Sequence, residues 1–195
     1  MTTPKKPPIL LDFPDRFETD RLLVRLPLPG DGQETYKAMM ESMDELKPWM
    51  HFAHNNQTEE DVEQVIREAH VKFLQRSDLR LMGFHKETGE LAVSSGLHRI
   101  NWDSRVFEIG YWVRTKYANQ GLVTELVSGL EQYAIRELQA NRILIRCDAR
   151  NERSAKVPER LGYTLEGIMR GEEYDVYGQL LTDTKVYAKV RGHEF

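Results

Sequence analysis

Residues 106–125, VFEIGYWVRTKYANQGLVTE, do most to limit what this chain can become. Over 106–113 they are almost wholly apolar and rich in β-branched and aromatic side chains, which reads as an interior strand covered on both faces. A polar turn at 114–120 follows, and from Leu122 the apolar period becomes helical, with Leu122, Leu126, Leu130, Ala134 and Leu138 on one face. The turn therefore ends where a helix begins. The first N–H groups of a helix have no internal partner and lie at the positive end of its dipole, and Gly121 lets a ligand approach the backbone closely. Such a place suits an anion, phosphate above all. The chain contains neither GxxxxGK[ST] nor GxGxxG, so the nucleoside-triphosphate and dinucleotide readings lose their main support.

With 195 residues, 40% of them hydrophobic, the chain can bury one full core and need not form two domains. Pro4, Pro7, Pro8 and Pro14 exclude helix and inner strand from residues 1–15, which are expected to be an N-terminal tail or wrap ahead of one domain over 16–195. The single cysteine, Cys147, permits no internal disulfide and gives no sign of an oxidising compartment. No stretch is apolar enough for a signal peptide or for the roughly 20 residues that span a membrane, so a soluble, cytoplasmic protein is expected. A formal net charge of −4 leaves no basic excess for a nucleic-acid backbone and mildly favours a cationic partner.

In chain order, residues 19–26 alternate as a first strand, which Pro27 and Pro29 end. A helix is expected over 31–43, with Asp31 as its N-cap and Tyr36, Met39, Met40 and Met43 facing inward. A second starts after Thr58, whose spacing to Asp61 outlines a capping box and whose Val62, Val65, Ile66, Ala69 and Phe73 keep helical spacing. Residues 79–85 and 91–100 read as a hairpin turning at Gly89, and with 106–114 they make an antiparallel run of three. After the long helix come a strand at 142–147 and a short helix at 151–161 closed by Gly162. Strands at 163–169 and 184–190 follow, joined by a polar segment holding Glu172, Glu173 and Tyr174. The order β-α-α-β-β-β-α-β-α-β-β, without internal repeats, describes a single-domain α/β fold.

That order, with several motifs, resembles the GNAT acetyltransferase superfamily. Residues 118–123 fall on its pyrophosphate loop, [QR]xxGx[GA], agreeing at Gly121 and departing at Ala118, Asn119 and Val123. NERSAKVPERLGYTLEG at 151–167 is similar to the NxxSxxV…LG[FY]xxEG signature of the RimL and RimJ branch, the ribosomal-protein N-terminal acetyltransferases and their relatives. EIGYWV at 108–113 is the same branch's central-strand motif, and Glu166, Gly167 and Arg170 keep its later spacing. The resemblance implies a mixed, mostly antiparallel sheet, splayed between strands 106–114 and 142–147 at an acetyl-CoA site, with no metal. It places the coenzyme on Ala118, Asn119, Gln120, Gly121, Leu122, Val123 and Thr124 for the pyrophosphate, on Tyr111 and Val113 for the pantetheine arm, and beside Asn151. Trp49, Met50, Phe52 and Tyr174 are implied as the acceptor wall.

Acetyl transfer must take a proton from the amine and give one to the leaving thiolate. Many members of the family use for the second step a tyrosine seven residues after the motif asparagine, a position that is Pro158 here. Ser154 is the acid the resemblance offers instead, although a serine there equally suits helix N-capping. Glu173, nineteen residues after Ser154, is the first candidate for the base, and Glu108 in its apolar strand is the second. A water chain is the third; Glu172 and Asp175 read as neighbours that only attract a cation. Freeing an α-amine of pKa about 7.7 to 8.0 costs roughly 1 to 1.4 kcal/mol at pH 7, against roughly 4.6 for a lysine of about 10.4, so a lone glutamate suits the α-amine slightly better. The expected acceptor is a protein N-terminus of the RimL type. A small amine such as a polyamine, aminonucleotide or antibiotic, and a non-catalytic acyl-CoA-binding regulator, stand as alternatives. No nucleic-acid or membrane partner is expected, and a homodimer is left open.

Overall fold

The computed structural model describes residues 6–195. Its strands are β1 (Arg16–Glu18), β2 (Leu22–Arg25), β3 (Leu79–His85), β4 (Leu91–Asn101), β5 (Val106–Val113), β6 (Arg142–Asp148), β7 (Thr164–Tyr174) and β8 (Leu181–Val190). They form one eight-stranded sheet in the order β1-β2-β3-β4-β5-β6-β8-β7, antiparallel throughout except where β5 meets β6. The helices are α1 (Gly32–Glu41), the single turn α2 (Met43–Leu46), α3 (Glu59–Gln75), α4 (Leu122–Arg136) and α5 (Glu152–Arg160). The expected order holds with two additions, β1 and α2, each too short for its side-chain period to show in the sequence. Residues 1–5 of the expected tail lie outside the described residues. Nearer the domain, Phe13 packs against the rings of Phe73, Trp102 and Tyr133, and the Tyr133 hydroxyl donates to the Pro14 carbonyl at 2.6 Å.

The helical periods are obeyed best where the sheet decides them. Leu122, Leu126, Leu130 and Ala134 of α4 are all buried, with Leu138 just past its end, against Phe107, Ile109, Ile143 and Ile145 of the sheet. The capping box of α3 forms in both directions between Thr58 and Asp61, and Val62, Ile66, Ala69 and Phe73 face inward. Val65 does not, being 40% exposed. In α1 the inward face is Thr35, Ala38 and Met39, while Met40 is 49% exposed. Asp31 precedes α1 without capping it, because its carboxylate is taken by Arg25 at 2.6 and 2.8 Å and by the Leu28 N–H at 2.7 Å.

Two expectations for the strands need correcting. β5 is fully covered only on the face of Phe107 and Ile109, which are buried; on the other face Glu108 and Gly110 are half-buried beside a cavity, and Trp112 is half-buried against the cluster of Ala38, Ile66, Met82, Phe84 and Leu91. Glu172, Glu173 and Tyr174 belong to β7 itself and not to a connecting segment, and the turn to β8 occupies 175–180.

Candidate active site

β5 and β6 pair at only three positions, Val106 with Arg142, Phe107 with Ile143 and Glu108 with Leu144. β5 nevertheless continues to Val113 and β6 to Asp148, so past Glu108 the two strands diverge and their facing backbone groups are left for another partner. The start of α5 stands over this opening. The Tyr111 hydroxyl donates to the Ser154 carbonyl at 2.9 Å, and Ser154 Oγ donates to the Tyr111 oxygen at 3.3 Å. Burial pushes the Tyr111 phenol well above its usual range, so it stays protonated through neutral pH and acts as a donor. Burial likewise raises the nearby Cys147 thiol. The cap of α5 is Asn151, whose side chain accepts from the Ser154 N–H at 3.1 Å. Ser154 is thus not the cap, and its hydroxyl is not committed to the helix end.

At the far end of β5 the chain is anchored by Arg114, whose side chain is 0% exposed. It donates to Glu41 at 2.6 Å through both Nε and Nη2 and to Glu34 at 2.7 Å, so the turn is bolted to α1. The Thr115 N–H adds a bond to Ser42 Oγ at 2.9 Å. Asn119 and Gly121 then take left-handed conformations, φ 60° and 80°, and α4 begins. The first helical bond runs from the Glu125 N–H to the Gly121 carbonyl, so the amides of Leu122, Val123 and Thr124 have no partner within the helix.

Arg21, which the sequence analysis missed, locks this turn from outside. It donates through Nη1 to the Gln120 carbonyl at 2.9 Å and through Nε to Glu125 at 2.7 Å. Glu125 also accepts from the Arg21 N–H at 2.8 Å and the Thr19 hydroxyl at 2.6 Å. Burial pushes the Glu125 carboxyl up, but these donors outweigh it and hold it below the usual range. Tying the Gln120 carbonyl to Arg21 leaves the turn presenting N–H groups. Unpaired amides at a helix N-terminus, a side-chain-free Gly121 and a divergent pair of strand edges leading to Ser154 together fit a long ligand with a diphosphate at one end.

On the other side of the splay lies a cavity of about 260 Å³. Trp49, Met50, Tyr174, Glu108, Glu173 and Ser154 all border it. Phe52 does not; its ring packs near Trp112, 6.3 Å between centroids. A chain of ion pairs crosses this region: Arg99 to Glu108 at 2.7 Å, Glu108 to Arg146 at 3.2 Å, and Arg146 to Glu172 at 2.7 Å. Each oxygen of Glu108 therefore faces a guanidinium, which suits a structural ion pair rather than a proton acceptor. Arg99 is held above its usual range by Glu108 first, with Glu173 and Glu172 adding to the field. Glu173 itself is exposed at the cavity edge, and Val113 and the 118–124 turn do not border the cavity. Among the described residues, no group of three or more His, Cys, Asp or Glu could hold a metal ion, and no helix is long and apolar enough to cross a membrane.

A family model described as an acetyltransferase (GNAT) domain matches residues 21–164. The chain belongs to the GNAT acetyltransferases. This GNAT chain is 29% identical over 158 residues to YdaF of Bacillus subtilis (strain 168), provisionally named a ribosomal N-acetyltransferase, covering 80% of the chain and 84% of that protein. It is 26% identical over 179 residues to the ribosomal-protein-serine acetyltransferase of Escherichia coli (strain K12), covering 89% and 97%. Its fold matches RimL, the ribosomal L7/L12 alpha-N-protein acetyltransferase in complex with coenzyme A, with a TM-score of 0.81 at 20% identity over 88% of the chain and 95% of that one. The chain is an acetyl-CoA-dependent N-acetyltransferase.

The two residues at the start of α5 should separate cleanly on mutation. Asn151→Ala removes a cap and should cost about 1 kcal/mol of stability in urea unfolding. Ser154→Ala should leave the unfolding midpoint close to that of the parent yet lower turnover at every pH.

Proposed function

We propose that this GNAT enzyme acetylates the α-amine of a protein N-terminus, that of a ribosomal protein, and so works in the cytoplasm. The observation that carries the catalytic reading is the splay, which joins a diphosphate-compatible turn on one side to an amine-sized cavity on the other. The names of the relatives from Bacillus subtilis and Escherichia coli support the acceptor.

Acetyl-CoA supplies the thioester whose acetyl group is transferred. The amides of Leu122, Val123 and Thr124 would hold its pyrophosphate, assisted by Ala118, Asn119, Gln120 and Gly121 around the turn, and the free edge of β5 at Tyr111 and Val113 would pair with the pantetheine amides. A backbone N–H between Gly110 and Val113 would donate to the oxyanion as the amine adds to the thioester carbon. Trp49, Met50 and Tyr174 would wall the acceptor. Glu173 would take the ammonium proton, since it borders the cavity and lies outside the ion-pair chain. Ser154 would pass a proton to the departing thiolate and take one in turn from the attacking nitrogen, which has a second to lose after addition, with Tyr111 fixing the backbone beneath it.

A thiol-release assay with acetyl-CoA decides the acceptor class. Peptides with a free N-terminal serine or alanine should support release, and the same peptides with blocked N-termini should not. Release with polyamines or aminonucleotides and none with any peptide would overturn the N-terminal reading. Absence of release with every acceptor, alongside tight coenzyme binding, would mean a non-catalytic acyl-CoA-binding protein.

A further inference from the structure

Neighbouring residues of a strand face opposite sides of a sheet, yet Glu172 and Glu173 both border the same cavity. The pairing of β7 with β8 explains how. Met169 lies opposite Thr184 and Glu173 opposite Thr182, so four steps along β7 correspond to two along β8. The surplus forms a bulge around Gly171, which has φ 58° and whose N–H donates to Asp183 Oδ1 at 2.9 Å. A Cβ on Gly171 would meet nothing within 4 Å, so its backbone conformation, not crowding, calls for glycine. Glu173 thereby returns to the side of Thr182 and Thr184, which also border the cavity, and Glu172 reaches Arg146 on that same side.

The two carboxylates are not equivalent. Glu172 Oε1 accepts from Arg146 Nη1 at 2.7 Å, whereas its Oε2 is shut off from solvent and has no hydrogen-bond partner. A buried carboxylate oxygen without a donor is an unmet demand for one. Along the chain Arg99, Glu108, Arg146 and Glu172 the charges alternate and cancel, so Glu172 enters the cavity already balanced, and Glu173 brings the uncompensated charge. Building on the N-acetyltransferase reading above, we propose that Glu172 is an acceptor-binding residue: as the acceptor enters, the carboxylate turns Oε2 out of the cavity wall to receive a hydrogen bond from the attacking nitrogen, while Glu173 removes its proton. The division follows from the ion pairs. A lone carboxylate against the amine would favour its charged form, the wrong one for attack, and the Arg146 guanidinium relieves Glu172 of that effect. Gly171 and Asp183 are positioning residues, since the bulge they hold brings both carboxylates to one nitrogen.

The test combines steady-state kinetics with calorimetric binding of an N-terminal-serine peptide to the coenzyme A-saturated protein, and runs equally on whichever amine the parent acetylates. Glu172→Gln should raise the acceptor KM and weaken peptide binding about tenfold, leave kcat within a few-fold of the parent and keep the shape of its pH profile. Glu173→Gln should do the reverse. Gly171→Ala, which touches neither carboxylate but strains the bulge, should move both parameters, with the acetyl-CoA KM unchanged. Parent-like acceptor KM and peptide binding in Glu172→Gln, with a normal thermal midpoint, would overturn the proposal. So would a fall in acetyl-CoA affinity as large as that for the peptide, since it would mark a general structural role. A parent protein that acetylates nothing would instead sink the catalytic reading, which separates the two failures.

Discussion

Glu173→Gln is expected to lower turnover by about 10²- to 10⁴-fold, the usual range for removal of a general base. The substitution keeps the size of the side chain and its capacity to accept a hydrogen bond, but it abolishes proton uptake. Acetyl-CoA affinity should hardly change, because Glu173 borders the acceptor cavity and not the α4 turn. Part of the loss should return as pH rises past about 8, where an α-amine of pKa about 7.7 to 8.0 deprotonates unaided. A pH–rate profile of parent and variant reads all three effects together. The opposite pattern, an active Glu173→Gln and an inactive Glu108→Gln, would move the base to β5, although both Glu108 oxygens face arginines there.

Arg114→Leu is expected to be the most destabilising single change, by about 3 kcal/mol, because it strands two carboxylates that were arranged around one guanidinium. The lower end of the range for buried pairs applies, since Glu34 and Glu41 keep 29% and 38% of their side chains exposed. The hydrogen bonds from Arg114 are the first cause of the lowered Glu41 carboxyl pKa. A depressed carboxyl stabilises the folded state fully above the usual carboxylate range and loses that contribution as pH falls through its lowered value. The stability gap between parent and Arg114→Leu should therefore be widest near neutral pH and narrow in acid, as urea unfolding at a series of pH values would show. Arg114→Lys should recover only part of the loss, since an ammonium cannot reproduce the fork onto Glu41.

What could be read from the sequence was local. The helical spacing of Leu122, Leu126 and Leu130, the Thr58 capping box and the Gly89 turn each depend on residues a few positions apart, and each appears in the fold. The features that went unread join distant residues. Arg21 and Glu125 are separated by 104 positions, and Arg114 meets Glu41 across 73, so no periodicity links either pair. The carboxylate of Glu108 in an apolar strand did announce a partner, but not that Arg99 and Arg146 would bracket it. At the start of α5 two residues could have capped the helix. Asn151 takes the role, and only its position three residues before Ser154, the spacing a cap needs to reach that N–H, could have settled the choice. The bulge in β7 was hidden because Gly171 looks like any turn glycine until the register with β8 is known.

Calorimetric titration of acetyl-CoA into the parent, Gly121→Val and Gln120→Ala tests most directly whether the backbone of the α4 turn holds the donor. Gly121 has φ 80°, a conformation that a β-branched residue adopts only under strain, and a Cβ there would already stand 3.6 Å from Arg21 Nη2, the guanidinium that ties the turn. Gln120 uses its own side chain on the Lys116 carbonyl and offers only its backbone to a ligand. Gly121→Val should weaken binding by a hundredfold or more, with only a modest drop in thermal midpoint from the strain at that φ, and Gln120→Ala should bind as the parent does. Equal and small losses in the two variants would contradict a donor site built on that turn.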